Sequence, residues 1–239
     1  MTDTVVITGI ARTPMGAFKG AFSDVAAPDL GAVAIKAAMD EAKVAPETVE
    51  QVVMGCVLPA GQGQAPARQA ALGADLPKEA EAVTVNKMCG SGMQAAIMAH
   101  DTIKAGSADI IVAGGMENMT RAPYLLPDAR NGMRMGEKSV VDSMMHDGLT
   151  DAYDGSAMGV FADMIAAEYQ FSREQQDAYA VESIRRAQQA QETGKFDREI
   201  APVTVSTRKG DIVVDKDEGP ANAQAEKVPA LRPAFTKDG

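Results

Sequence analysis

The chain has 239 residues, a formal net charge of −10 and a pI near 4.7, with 46% apolar and 23% charged residues. An acidic surface repels nucleic acid and anionic membranes, so neither is expected as a partner. No apolar run approaches the ~20 residues that span a bilayer, and Met1-Thr2-Asp3-Thr4 opens no basic-then-apolar leader.

Cys56 and Cys89 are the two cysteines, and His100 and His146 the two histidines. They show no Cys-x-x-Cys or His-x-x-x-His spacing, so neither a disulfide framework nor a zinc site is expected, and a reducing cytoplasm is the default location.

In chain order, Val5–Thr8 reads as a short buried strand ending at Gly9. Leu30–Lys43 carries Leu30, Val33, Ala34, Ala37 and Ala38 at helical spacing. Val52–Met54 is the next apolar run, followed by the breakers Pro59, Gly61 and Gly63. Ala82–Val85 predicts a strand, and Ser91–Lys104 a helix with Met93, Ala96, Ile97 and Ile103 on one side. Ile110–Ala113 predicts a strand closed by Gly114-Gly115. This alternation implies an α/β fold with a mostly parallel sheet, in which ligands gather beyond the carboxyl ends of the strands.

From about Arg121 the texture changes, with Pro123, Pro127, Gly132 and Gly136 interrupting any long element. Met158–Gln170 resumes helical spacing. Ser172-Arg173-Glu174-Gln175 is a capping-box pattern that opens another helix, with Gly194 placed to end it. Ile200–Val205 and Ile212–Val214 around Lys209-Gly210-Asp211 predict a hairpin. The domains expected are residues 1–120, an incomplete α/β domain, and 121–239, a second domain inserted on the first.

The segment with chemical content is Asn86-Lys87-Met88-Cys89-Gly90-Ser91-Gly92. It sets a cysteine between a strand and a helix N-terminus, where backbone N–H groups and the helix dipole favour a thiolate. Gly90 and Gly92 leave room for a bulky substrate, and the Cys89 N–H could serve an oxyanion hole. The residues alone leave this open, because most cysteines are inert packing residues. Gly90-x-Gly92-x-x-Ala95 also fits a dinucleotide fingerprint. Against that, four residues separate Gly90 from the strand, and Asp109 precedes the next apolar run instead of ending it.

Asn86-Lys87-Met88-Cys89-Gly90-Ser91-Gly92 resembles the nucleophile motif of thiolases. Four further stretches resemble the same family in family order. They are Arg12-Thr13-Pro14 with Gly16; Ala113-Gly114-Gly115-Met116-Glu117-Asn118-Met119; Asp147-Gly148-Leu149-Thr150-Asp151; and Leu231-Arg232-Pro233-Ala234-Phe235. The resemblance implies a thiolase-like half-domain, a mixed sheet with helices on both faces, plus an inserted loop domain over the coenzyme A site, with the carboxyl-terminal half of the family fold absent. It also implies an acyltransferase of fatty acid metabolism. Cys89 would take an acyl group from acyl-CoA. Condensation with acetyl-CoA would then give a 3-ketoacyl-CoA such as acetoacetyl-CoA, or thiolysis would run the reaction backwards. No metal or redox cofactor is implied, and complete family members are homodimers or homotetramers.

By the same resemblance, Met158 matches an acyl-pocket methionine, Lys227 a lysine that contacts CoA, and Phe235 an aromatic near the pantetheine. The family's base histidine, second cysteine and water-orienting asparagine lie in motifs beyond Gly239. His100 stands 11 residues after Cys89, roughly 16 Å along a helix; His146 is expected at the surface, with the lining of a substrate tunnel as the alternative, and neither matches the family's base. A fragment or one half of a split enzyme, inactive alone, is the expectation; a non-catalytic binding subunit is the rival. Ala157 stands where acetoacetyl-CoA-specific relatives often carry histidine. Asp217-Glu218 leads to Gly219-Pro220-Ala221 where many carry arginine. Ile184 stands at the tyrosine of a potassium-binding branch, so no potassium site is expected.

Overall fold

The computed structural model describes residues 4–239; Met1, Thr2 and Asp3, where a leader was sought, lie outside the described residues. Strands β1 (Gln51–Gly55), β2 (Glu81–Val85) and β3 (Ile111–Gly115) form a parallel sheet in the order β2-β1-β3. Val52 pairs with Ala82 on one side and Val112 on the other. β1 is the middle strand, and Val52, Val53 and Met54 are almost wholly buried. A strand covered on both faces needs apolar residues at every position, as its continuous Val-Val-Met run supplies.

The two faces are filled differently. Val52 and Met54 join a core with α1 (Ala27–Ala42) and α2 (Pro66–Gly73). α1 and α2 pack closely because small residues meet: Gly31 against Ala70, and Gly73 against Ala32. α2 follows a run of helix breakers that masks it in the sequence pattern. It starts with Pro66, a residue suited to a first helical turn. Thr84 Oγ1 accepts the Ala67 N–H at 3.0 Å and ties that turn to β2.

Helix α3 (Ser91–Lys104) covers the other face. Its buried residues are Ser91, Ala95 and Ala99. Met93 and Ile97, placed above on the apolar side, are 73% and 45% exposed. The reason is the sheet beneath: the strands end in Gly55 and Gly114-Gly115, and only a small-residue face can seat that closely. A Cβ on Gly55 would lie 2.6 Å from the Ser91 carbonyl carbon and 2.7 Å from the Gly92 nitrogen.

Two other sequence expectations need correction. Val5–Thr8 is not a strand; among the described residues it has no ladder partner, and Val6 and Ile7 are 67% and 84% exposed. An apolar run becomes a strand only where a neighbouring strand supplies backbone hydrogen bonds. On α1 the buried stripe is Leu30, Gly31, Ile35 and Met39, while Val33, Ala34, Ala37 and Ala38 are half-buried. Ala38 and Ala42 pack instead on the backbone at Gly9.

Beyond β3 come a short ribbon of β4 (Tyr124–Leu125) and β5 (Val141–Asp142), a π-helical turn Met144–Leu149, and α4 (Met158–Glu168). α5 (Arg173–Glu192) opens with the expected capping box, Ser172 bonding Gln175 both ways, and Gly194 follows it with φ +69°. β6 (Val203–Thr207) and β7 (Gly210–Val214) form the expected hairpin, and α6 (Glu218–Asn222) follows. Val203 packs with Phe22 and Leu30, which fastens the hairpin to α1.

An ionic joint completes the attachment. Arg12 donates to both oxygens of Asp217, at 2.7 and 3.0 Å, and to Glu199 at 2.6 Å. Its guanidinium also lies 5.0 Å from the Phe196 ring centre. Glu218 accepts the N–H groups of Ala17 and Ala21, so one short segment holds the chain's first turn region at several points.

Candidate active site

Cys89 lies one residue before Gly90, the N-cap of α3, and is exposed. The turn that carries it is tightly specified. Met88 has φ +48°, in the left-handed region that a methionine adopts only when its surroundings hold it there. Asn86 Oδ1 accepts the Met88 N–H at 2.9 Å. Ser91 Oγ accepts the Lys87 N–H at 2.8 Å and donates to the Met88 carbonyl at 2.6 Å. Two short polar side chains thus replace the regular backbone pairing lost where β2 turns into α3.

The close seat of α3 on Gly55 and Gly115 fixes where this turn points. α3 begins beside the carboxyl ends of β1 and β3, and a Cβ on Gly92 would come within 3.8 Å of the Gly115 nitrogen. The thiol therefore stands at the strand-end rim where α/β sheets place ligands, next to the first turn of a 14-residue helix.

The other cysteine has the opposite environment. Cys56 is buried, and its Sγ approaches Glu117 Oε1 at 3.6 Å. Burial, then the Glu117 charge, pushes its thiol up to about 11, against a smaller opposing effect of the Gln62 hydrogen bond. The Glu117 carboxylate also accepts the Val57 and Leu58 N–H groups at 2.7 and 3.3 Å. Sequence patterning marks Glu117 only as part of a family stretch; its role as a half-buried anchor for the loop after β1 depends on contacts 60 residues apart.

Phe235 comes to the start of α4, where Met158 stands. The Phe235 ring packs on Gly159, the residue after Met158 at the start of α4, so closely that a Cβ on Gly159 would clash with it. Thr236 secures that arrangement by bonding Asp163 through its N–H at 3.1 Å and its hydroxyl at 2.7 Å. Lys227 is exposed on a short 3-10 helix, Ala225–Ala230, that packs on α5. Arg173 holds the end of that helix by donating to the Leu231 carbonyl at 2.6 Å.

His100 is exposed and pairs with Asp101 at 2.9 Å, and His146 is exposed on the π-helical turn. Neither hydrogen-bonds Cys89. The turn containing His146 meets the core through Gly148, which packs on Leu58 in the loop that Glu117 anchors. Among the described residues, no group of three or more His, Cys, Asp or Glu side chains could hold a metal ion. A cleft of about 580 Å³ lined by Glu47, Glu50, Glu79 and Glu81 lies at the opposite, amino-terminal ends of the strands, away from Cys89.

Residues 5–239 match the family described as "Thiolase, N-terminal domain".

The chain belongs to the thiolase family.

It is 49% identical over its whole length to an acetyl-CoA acetyltransferase of Cupriavidus necator, covering 61% of that protein. It is also 49% identical over 98% of its length to acetyl-CoA acetyltransferase 1 of Arabidopsis thaliana, covering 57% of it. Among solved structures it superposes with TM-score 0.90 and 39% identity on a thiolase from Ascaris suum in complex with coenzyme A, covering 98% of this chain and 59% of that one. The chain thus spans about three fifths of the length of the curated relatives it matches. The thiolase half-domain expected from the motifs is therefore the fold observed. No helix among the described residues is long and apolar enough to cross a membrane.

Proposed function

We propose that this chain is the acyl-accepting portion of a thiolase-type acyltransferase, with Cys89 as its nucleophile. The observation that carries the reading is the exposed thiol on a constrained turn at the start of α3. The similarity of the whole chain to acetyl-CoA acetyltransferases supports it. Cys89 sulfur attacks the thioester carbonyl of an acyl-CoA; the new sulfur–acyl bond forms as the acyl–CoA sulfur bond breaks. Coenzyme A leaves as a thiolate and takes up the proton that Cys89 gave up. The acyl group then passes to the carbanion of acetyl-CoA in condensation, or the sequence runs in reverse as thiolysis.

The thioester supplies the activation, so the proposed reaction uses no metal or redox cofactor. Carbanion formation needs a proton acceptor. Neither His100 nor His146 bonds Cys89, so we assign that role to the part of the relatives' length that this chain does not span. Residues 121–239 act as the cover of the CoA site: Met158, and Phe235 packed on the adjacent Gly159, border the acyl and pantetheine path, and Lys227 meets the CoA phosphates. A cytoplasmic homo-oligomer in fatty acid metabolism is the setting we propose.

The test is intact mass after incubation with acetyl-CoA, beside Cys89→Ala. One acetyl group gained by the chain and absent from the variant is the expected result. Acetylation that persists in Cys89→Ala, or none on a chain shown to be folded by circular dichroism, overturns it.

A further inference from the structure

We propose that Asn86 is a positioning residue for Cys89, holding the strained turn at Met88 and linking it to the anchor at Glu117. This rests on Cys89 being the reactive thiol. Three observations meet at Asn86. Its Oδ1 accepts the N–H of Met88, a residue held at φ +48°. Its Nδ2 donates to the Val57 carbonyl at 3.3 Å. Val57, through its own N–H, is held at 2.7 Å by the Glu117 carboxylate. The amide of Asn86 thus uses both ends, one on the turn and one on the loop that Glu117 fixes.

This bridging suits the chemistry of the side chain. An amide presents an acceptor and a donor from one compact planar group. A carboxylate at this position would keep the acceptor for Met88 and set a negative oxygen against the Val57 carbonyl. Ser91 holds the same turn from the helix side, through the Lys87 N–H and the Met88 carbonyl. Asn86 holds it from the side of the loop after β1. Without it, Met88 can return to an ordinary backbone region, and Cys89 swings away from the N–H groups at the start of α3.

The experiment follows alkylation of the two cysteines by iodoacetamide at neutral pH, resolved by peptide mass, in the purified chain. Cys56 beside Glu117 serves as the internal gauge of the core. In Asn86→Ala, Cys89 should label roughly tenfold more slowly, the scale of losing the hold on one left-handed residue, while Cys56 stays protected. Adding Met88→Gly, which adopts positive φ freely, should restore most of the rate. Unchanged Cys89 labelling in Asn86→Ala overturns the proposal. So does faster Cys56 labelling in parallel, which would make Asn86 a general packing residue, or failure of Met88→Gly to recover the rate. If the wild-type chain alkylates at Cys89 yet gains no acetyl group from acetyl-CoA, the acyl-transfer reading fails while the alkylation contrast still decides the role of Asn86.

Discussion

Replacing Gly55 by alanine should damage the molecule more than the same change at Gly114 or Gly115. The new Cβ would lie 2.6 Å from the Ser91 carbonyl carbon, 2.7 Å from the Gly92 nitrogen and 2.7 Å from Ser91 Cβ. Ordinary contact begins near 3.4 Å, so the helix start would have to move by about 0.8 Å (3.4 minus 2.6). The clashing atoms are mostly backbone, and no side-chain rotation relieves them. Overpacking of this kind costs about 2–3 kcal/mol, hence roughly 4–12 °C in Tm for a chain of this length. Thermal unfolding followed by circular dichroism measures it. Gly219→Ala is the matched control: it lies in α6, and nothing lies within 4 Å of its added Cβ. Helix propensity should leave that variant neutral or about 1 kcal/mol more stable. If Gly55→Ala melts with the wild type, the close seat of α3 on the sheet is not what places Cys89, and the reasoning fails.

Three other outcomes follow from the same contacts. Burial pushes the Asp217 carboxyl up, but the Arg12 hydrogen bond, the Met15 N–H and the guanidinium charge together hold it below the ordinary range. Its contribution to stability is therefore present above the unfolded value of about 3.9 and lost as pH falls through the lower folded value; Asp217→Asn should flatten that part of an acid-unfolding curve. Cys56, with its thiol pushed up to about 11, should resist alkylation at pH 8 while Cys89 reacts. Its stability contribution is lost as pH rises from about 8.5 through that folded value, and Glu117→Gln should make Cys56 label faster in peptide mass analysis. Ser172→Ala removes the capping box of α5 and should cost about 1 kcal/mol in urea unfolding; no change in the unfolding midpoint would show that the cap is energetically idle.

Sequence alone carried the elements whose signals are local. The bounds of α3, the capping box before α5, the hairpin near Gly210 and the three apolar strand runs all depend on residues within a turn or two of one another. Cys89 was legible for the same reason, since the strand, the glycines and the helix start are contiguous. Tertiary structure decided which faces those elements bury. Met93 and Ile97 look like core residues by period, yet α3 turns Ser91, Ala95 and Ala99 inward because the strands beneath it end in glycine. Val5–Thr8 has the composition of a strand, but pairing is a property of two segments, and no second one lies beside it among the described residues. Glu117, Val57 and Asn86 are ordinary residues in three separate stretches. They become a support for the Cys89 turn only when the parallel order β2-β1-β3 brings the ends of those strands together.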